Sequence, residues 1–403
     1  MAPMPATRPL PELTRQPSNT RLRLHPLQRG ALPGLFAWFG VVMGSWVGRI
    51  PALREGAQLS HTMLSCVLLC SGLGALMSFP LSSRLMASFG ARHTMLISGM
   101  ALLIALPCIG FAPSLPLLML AVLLLGITAS GFDVAMNSVA AHYEKMNRSS
   151  AMSLLHACAC AGGLTGTVMA SLMAGLGISP AMHFLMLSLP LALLLKLAHA
   201  GVAADDRADI QTKSFVLPRG PLALLGALGF LGSVAEGSIA NWSSVFLREH
   251  FAVSAGLAPL SLTAFSAMML LSRWFGDSLK IKHGARELLC RGALIAAAGL
   301  FFAVFAPNAY VAIAGFACSG LGLSLMFPFV FSAAGREGPS ALVGVATMAY
   351  AGSLIGPPVL GGVAHALGLQ AAMGMVACLG LVMALVARRA RLLDKRSSSC
   401  ANV

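Results

Sequence analysis

Twelve stretches of about 20 predominantly apolar residues follow one another along this chain. They lie at approximately 32–52, 62–83, 94–112, 116–140, 150–176, 180–200, 221–246, 256–276, 287–306, 309–333, 341–364 and 369–388. A helix of that length crosses the roughly 30 Å of hydrocarbon in a bilayer. Hydrocarbon offers no water to backbone N–H and C=O groups, so only helices and closed barrels span it. Barrel strands alternate apolar and polar residues, and these runs do not. The expected fold is an all-α polytopic membrane protein with twelve transmembrane helices. Composition excludes a soluble enzyme: 57% of the 403 residues are hydrophobic and only 10% are charged, where soluble domains carry about 25% charged residues.

The 27 Lys and Arg exceed the 13 Asp and Glu, a formal net charge of +14. Nucleic-acid binding would gather that charge on one patch or groove, but here it is scattered through the gaps between spans, so no nucleic-acid partner is expected. Basic loops mark the cytoplasmic face. With the N-terminus inside, only Arg49, Arg54 and Arg248 of the 27 fall outside, leaving 24 inside. Both termini are expected in the cytoplasm.

The expected organisation is a disordered tail over 1–31, a six-helix bundle over 32–200, a cytoplasmic loop over 201–220, a second bundle over 221–388 and a tail over 389–403. The Pro- and Arg-rich start, with the single acid Glu12, reads as a retained cytoplasmic tail rather than a cleaved signal, with an organellar transit peptide as the alternative. The nine cysteines show no disulfide framework or zinc spacing. No metal and no cofactor are expected, and the chain is expected to be a monomer.

The chain repeats itself. Leu53-Arg54-Glu55 with Ser60 recurs as Leu247-Arg248-Glu249 with Ser254, a shift of 194 positions. Leu85, Gly90, Ala91 and Arg92 recur as Leu279, Gly284, Ala285 and Arg286 at the same shift, and Gly126 pairs with Gly320. Composition bias can align Leu, Ala or Gly, but not Arg-Glu followed by Ser in register. Six spans return the chain to its starting side, so the two halves point the same way.

Twelve spans in a 6+6 parallel repeat, with a short basic loop after span 2, resemble the major facilitator superfamily over about 30–390. That family's signature after span 2 is Gly-x-Leu-x-Asp-Arg-x-Gly-Arg-Arg. The chain reads Ser83-Arg84-Leu85-Met86-Ala87-Ser88-Phe89-Gly90-Ala91-Arg92, with Ala87 at the Asp position and Ser88 at the Arg position. The second half reads Asp277-Ser278-Leu279-Lys280-Ile281-Lys282-His283-Gly284-Ala285-Arg286. The resemblance implies gating roles for Arg84, Gly90, Arg92, Asp277, Lys282, Gly284 and Arg286. Trp46-x-x-Arg49-Ile50-Pro51, the run Gly131 to Asn137 and the run Ala235 to Trp242 resemble the YbjJ-type inner-membrane transporters, relatives of the fucose–proton symporters. Span 1 lacks the acid that the fucose group carries there.

An ionisable residue at mid-bilayer costs about 2.5–3.5 kcal/mol on insertion scales and calls for a reason. Two carboxylates lie well inside spans, Asp133 and Glu236. Asp133 and Asn137 share a helical face. Span 5 carries a small and polar stripe at Ser153, His156, Cys160, Gly163 and Thr167, and His156 matches Asp133 in depth. This predicts a proton or substrate site of Asp133, Asn137 and His156, or a structural trio joining spans 4 and 5. Glu236 lies between Gly232 and Gly237, with Asn241 about 140° away on an ideal helix. Trp242 reads as a stacking or belt residue. Trp46 belongs to the same set, and Arg49 reads either as a partner for an anion or as a snorkelling side chain.

The expected function is secondary transport of a small polar, sugar-like organic solute by alternating access, as proton-coupled symport across a bacterial inner membrane. The alternatives are proton-coupled export of amphiphiles, in keeping with 23 Met, and a non-transporting solute sensor. No Ser-His-acid set, metal spacing or phosphate-cradling loop suggests an enzyme.

Overall fold

The computed structural model describes residues 26–147, 152–202 and 218–394; most of the two expected tails and of the central loop lies outside them. Every regular element among the described residues is helical. The first half contains α1 (Pro26–Gly48), α2 (Ile50–Gly56), α3 (His61–Gly110), α4 (Leu115–Asn147), α5 (Met152–Gly175) and α6 (Pro180–Gly201). The second contains α7 (Pro221–His250), α8 (Leu260–His283), α9 (Ala285–Val304), α10 (Ala309–Leu323), α11 (Met326–Arg336), α12 (Pro339–Leu367) and α13 (Leu369–Arg389), followed by a 3₁₀ turn over Arg391–Leu393.

Three departures from the expected spans have local causes. Spans 2 and 3 are one long element, α3, turned only at Gly90, whose φ of 78° and ψ of 161° are open to glycine at little cost. Span 10 is divided between α10 and α11, with Ser324 and Leu325 at the junction. The expected loop after span 1 holds the short α2, with Pro51 in its first turn, where a missing N–H costs nothing. Three helices start at side-chain caps: Ser60, Ser179 and Asn308 each accept a backbone N–H from the first turn. Pro357 and Pro358 sit inside α12, which continues through them.

Order along the chain does not by itself decide the neighbours. The tightest packing sets α1 on α5 and α3 on α4 in the first half, with α7 on α12 and α9 on α10 in the second. Small residues explain the choice. A methyl group built at Gly40 would strike the Ala159 carbonyl, at Gly44 the Gly163 carbonyl and at Gly162 the Ala37 carbonyl. Lipid chains are as apolar as leucine, so helices in a bilayer are held by such close backbone approach rather than by exclusion from water.

The shift of 194 is present in the backbone as well. Gln58 and Ala252 both take positive φ, 51° and 50°. Ser60 caps Met63 at 3.1 Å, and Ser254 caps Leu257 at 3.3 Å. Gly284 repeats the Gly90 turn with φ 79°. Gly126 lies against the Ser71 carbonyl, and Gly320 against that of Phe265. The two halves meet through α3 against α12 and α5 against α8, with α2 touching α7.

The glycine contacts predict a sharp contrast between two variants. Gly44→Val is expected to destabilise the purified protein by about 1–3 kcal/mol through overpacking, read as a lower melting temperature in detergent. Gly374→Val faces open space and is expected to change stability by no more than about 0.5 kcal/mol. Equal melting temperatures for the two would contradict this account of the α1–α5 contact.

Candidate functional site

A cavity of about 300 Å³ lies between α1, α5, α7 and α8, open on one side. Phe39, Gly40, Met43, Gly44 and Val47 of α1 form one wall. His156, Ala159, Cys160, Gly163 and Thr167 of α5 form the next, with Ala240 of α7 and Leu262 and Ser266 of α8 completing it. The span 5 stripe therefore faces this cavity from His156 to Thr167; the Ser153 side chain lies outside the described residues. Cavity and α1–α5 contact share one origin, since glycines that let the helices touch also leave space beside them.

Two ionisable residues inside spans adjoin this cavity. Glu236 in α7 has a buried Oε2 without a hydrogen-bond partner. Arg273 in α8 lies near enough to act electrostatically on Glu236, on His156 and on the Cys160 thiol. Its Nε donates to the Ser324 carbonyl at 3.1 Å, and one terminal nitrogen donates to Cys160 Sγ at 2.8 Å. Sequence reasoning counted Arg273 with the basic cytoplasmic segments and missed it as a site residue. The signal was there, since Arg273 falls inside the span placed at 256–276. Asn241 donates to the Gly237 carbonyl of its own helix at 2.8 Å.

Asp133 and Asn137 are joined: Asn137 Nδ2 donates to Asp133 Oδ1 at 3.0 Å and to the Asp133 carbonyl at 2.9 Å. His156 is elsewhere, edge-on to Phe36 with ring centroids 5.4 Å apart. The expected trio is not assembled, because α5 is drawn onto α1 and α4 onto α3. Asp133 instead lies within electrostatic reach of Tyr350 in α12, whose ring meets Phe79 of α3 edge-on at 5.7 Å. Asp133 thus adjoins the seam between the halves, on a different helix pair from Glu236.

One end of the molecule is tied across the halves by the repeated Arg-Glu pairs. Arg54 pairs with Glu249, and Arg248 reaches both oxygens of Glu55 at 2.5 and 3.2 Å. Each Arg-Glu dipeptide binds its own repeat, the self-complementary pairing that a two-fold relation imposes. His61 Nε2 is 2.9 Å from Glu249 Oε2. Below it lies the fully buried Trp242, with centroids 6.1 Å apart. Thr263 donates to Thr167 at 3.1 Å, and Ser171 donates to the Gly256 carbonyl. Arg49 is buried within the first half, donating to the Ala170 and Ile178 carbonyls. Trp46 is buried in the apolar core.

At the opposite end, Arg92 donates to the His199 carbonyl at 3.3 Å and Arg286 pairs with Asp394 at 2.7 Å. Both arginines fasten the start of the helical stretch after the glycine turn to the end of their own half. Gly90 and Gly284 make those turns. Arg84 and Lys282 are exposed, both on helices that end at the turns, and the Asp277 side chain lies outside the described residues.

The reciprocal pairs predict a local weakening on mutation. A partly exposed pair contributes about 0.2–1 kcal/mol, enough to raise the open population of this end by up to about fivefold. Glu249→Gln is expected to speed amide hydrogen exchange in segments 53–61 and 250–259, and the charge swap Arg54→Glu with Glu249→Arg to restore it. Unchanged exchange in the single variant would show that packing alone holds this end.

The Major Facilitator Superfamily profile matches residues 34–351. An uncharacterised MFS-type transporter of Yersinia pestis is 31% identical over 353 residues, 87% of this chain and 92% of the relative. Membrane protein MosC of Rhizobium meliloti is 30% identical over 354 residues, 86% of each chain. Among solved structures, a variant of the nucleoside transporter NupG superposes with a TM-score of 0.74 at 14% identity, over 90% of this chain and 99% of the other. A bacterial homolog of the human lysosomal transporter Spinster, inward-facing and occupied, also scores 0.74, at 16% identity over 91% and 97%. The matched profile, the relatives and the twelve-span architecture agree that the chain belongs to the Major Facilitator Superfamily.

Proposed function

We propose that this chain is a secondary transporter that carries a small organic solute by alternating access, coupled to protons through Glu236. The observation that carries the reading is a carboxylate whose buried Oε2 has no hydrogen-bond partner among the described residues, beside an open cavity and within electrostatic reach of Arg273. A carboxylate in that setting exchanges a proton as its surroundings change, and this links occupancy of the cavity to the proton gradient. Asp133, adjoining the seam between the halves, serves as a second proton site, oriented by Asn137. The cross-paired Arg-Glu ends read as the closed outer gate. In that orientation the cavity opens to the cytoplasm and both termini are cytoplasmic, in line with the 24 inward basic residues and with the inward-facing Spinster homolog.

The glycine-turn residues act in this scheme by holding each half rigid while the halves rock. The Gly131–Asn137 and Ala235–Trp242 runs support the YbjJ-like branch, and with it symport in a bacterial inner membrane by a monomer. The sugar-like substrate suggested by that branch finds polar lining in Thr167, Ser266 and His156. The apolar walls formed by Phe39, Met43, Val47 and Leu262 favour a second reading, export of amphiphiles, which reverses the direction of proton-linked flux.

The test is flux in proteoliposomes, using solutes that stabilise the purified protein. A proton gradient, acidic on the side of the Arg54 end, is expected to drive accumulation on the other side. Glu236→Gln is expected to lose gradient-driven accumulation at least about tenfold while keeping equilibrium exchange, because only the proton step is removed. Asp133→Asn at normal expression is expected to lower driven uptake as well. Full gradient-driven uptake by either variant would remove that carboxylate from the coupling.

A further inference from the structure

Arg273 stands ten residues, about 15 Å of helix, before the end of α8 at His283. At that depth a guanidinium is costly, and its described partners do not saturate it. Of the five N–H donors on an arginine, one is taken by the Ser324 carbonyl, freed where α10 gives way to α11, and one by Cys160 Sγ. Sulfur is a weak acceptor. Among the described residues Glu236 makes no hydrogen bond with Arg273, and its Oε2 has no partner. The cation and the carboxylate share a field without closing into an ion pair. Cys160 and His156 line the cavity beside them, and a volume of about 300 Å³ stands at the small end of ligand pockets.

We propose that Arg273 is the substrate-binding residue for a small carboxylate, with Glu236 as the internal counter-charge that the substrate displaces. A carboxylate entering from the cavity meets the planar fork of the guanidinium, to which it can make two parallel hydrogen bonds. Cys160 Sγ yields its donor at small cost. Glu236, deprived of its cation, takes up a proton, so one proton accompanies each carboxylate and the pair moves without net charge. The apolar walls of α1 and α8 cover the rest of the solute. This assignment rests on the transport reading for its purpose, while its test rests on binding.

The experiment measures thermal stabilisation of the purified full-length protein by sodium salts of acetate, butyrate, lactate, benzoate and succinate, each beside its neutral amide. At least one carboxylate is expected to raise the melting temperature where its amide does not. Arg273→Gln is expected to abolish that shift, and Arg273→Lys, which keeps the charge without the fork, to weaken binding about tenfold or more. Glu236→Gln is expected to tighten binding and to flatten its pH dependence, a readout that holds even if Arg273→Gln folds poorly. Equal stabilisation by acid and amide, no stabilisation by any acid, or unchanged binding in both Arg273→Lys and Glu236→Gln would overturn the assignment. Counterflow of a neutral solute that Arg273→Gln still carries would discard the carboxylate and keep transport. Carboxylate binding without counterflow would keep the site and discard transport.

Discussion

Close approach of backbones at small residues is the interaction on which the rest of this structure depends. In hydrocarbon, helices gain nothing by hiding leucine from lipid, so contact is decided by how near two backbones can come. Gly40 and Gly44 against Ala159 and Gly163, and Gly126 against Ser71, settle which helices are partners. These choices override order along the chain: α4 and α5 are successive yet scarcely touch. They also leave the α1–α5 wall smooth and thin, and the cavity lies along it.

The second constraint is the duplication. A 194-residue shift reproduces turns, caps and close contacts down to the positive φ of Gln58 and Ala252. Once two such halves face each other, any residue near the pseudo-axis meets its own repeat. Arg54-Glu55 and Arg248-Glu249 therefore need no separate complementary surface, because each dipeptide contains both signs. Such a closure is individually weak, since the pairs are partly solvated. A weak closure suits the gate proposed for this end.

Charge in the interior is distributed with a similar economy. Asp133 is held by Asn137 one turn away on its own helix, whereas Glu236 and Arg273 act on each other electrostatically from two different helices. A pair supplied by different helices changes when the helices move; a pair on one helix does not. That difference is why the α7–α8 pair carries the coupling reading and Asp133 the supporting one.

The succession of apolar spans, the all-helical class and the internal repeat were legible in the residues, because each depends on composition or on local periodicity. Apolar length and unbroken patterning follow from the bilayer, and Gly90 and Gly284 mark turns wherever they stand. The Asp133–Asn137 bond was legible too, being four residues apart on one helix. What only the tertiary structure decided was partnership across helices. Similar depth suggested His156 for Asp133, but depth says nothing about which face of the bundle a helix occupies. Arg273 was hidden by the rule that basic residues lie in cytoplasmic loops, although it sat within an apolar span. Its place beside Glu236 and Cys160 depends on how α8 packs against α5 and α7, which neither composition nor local periodicity encodes.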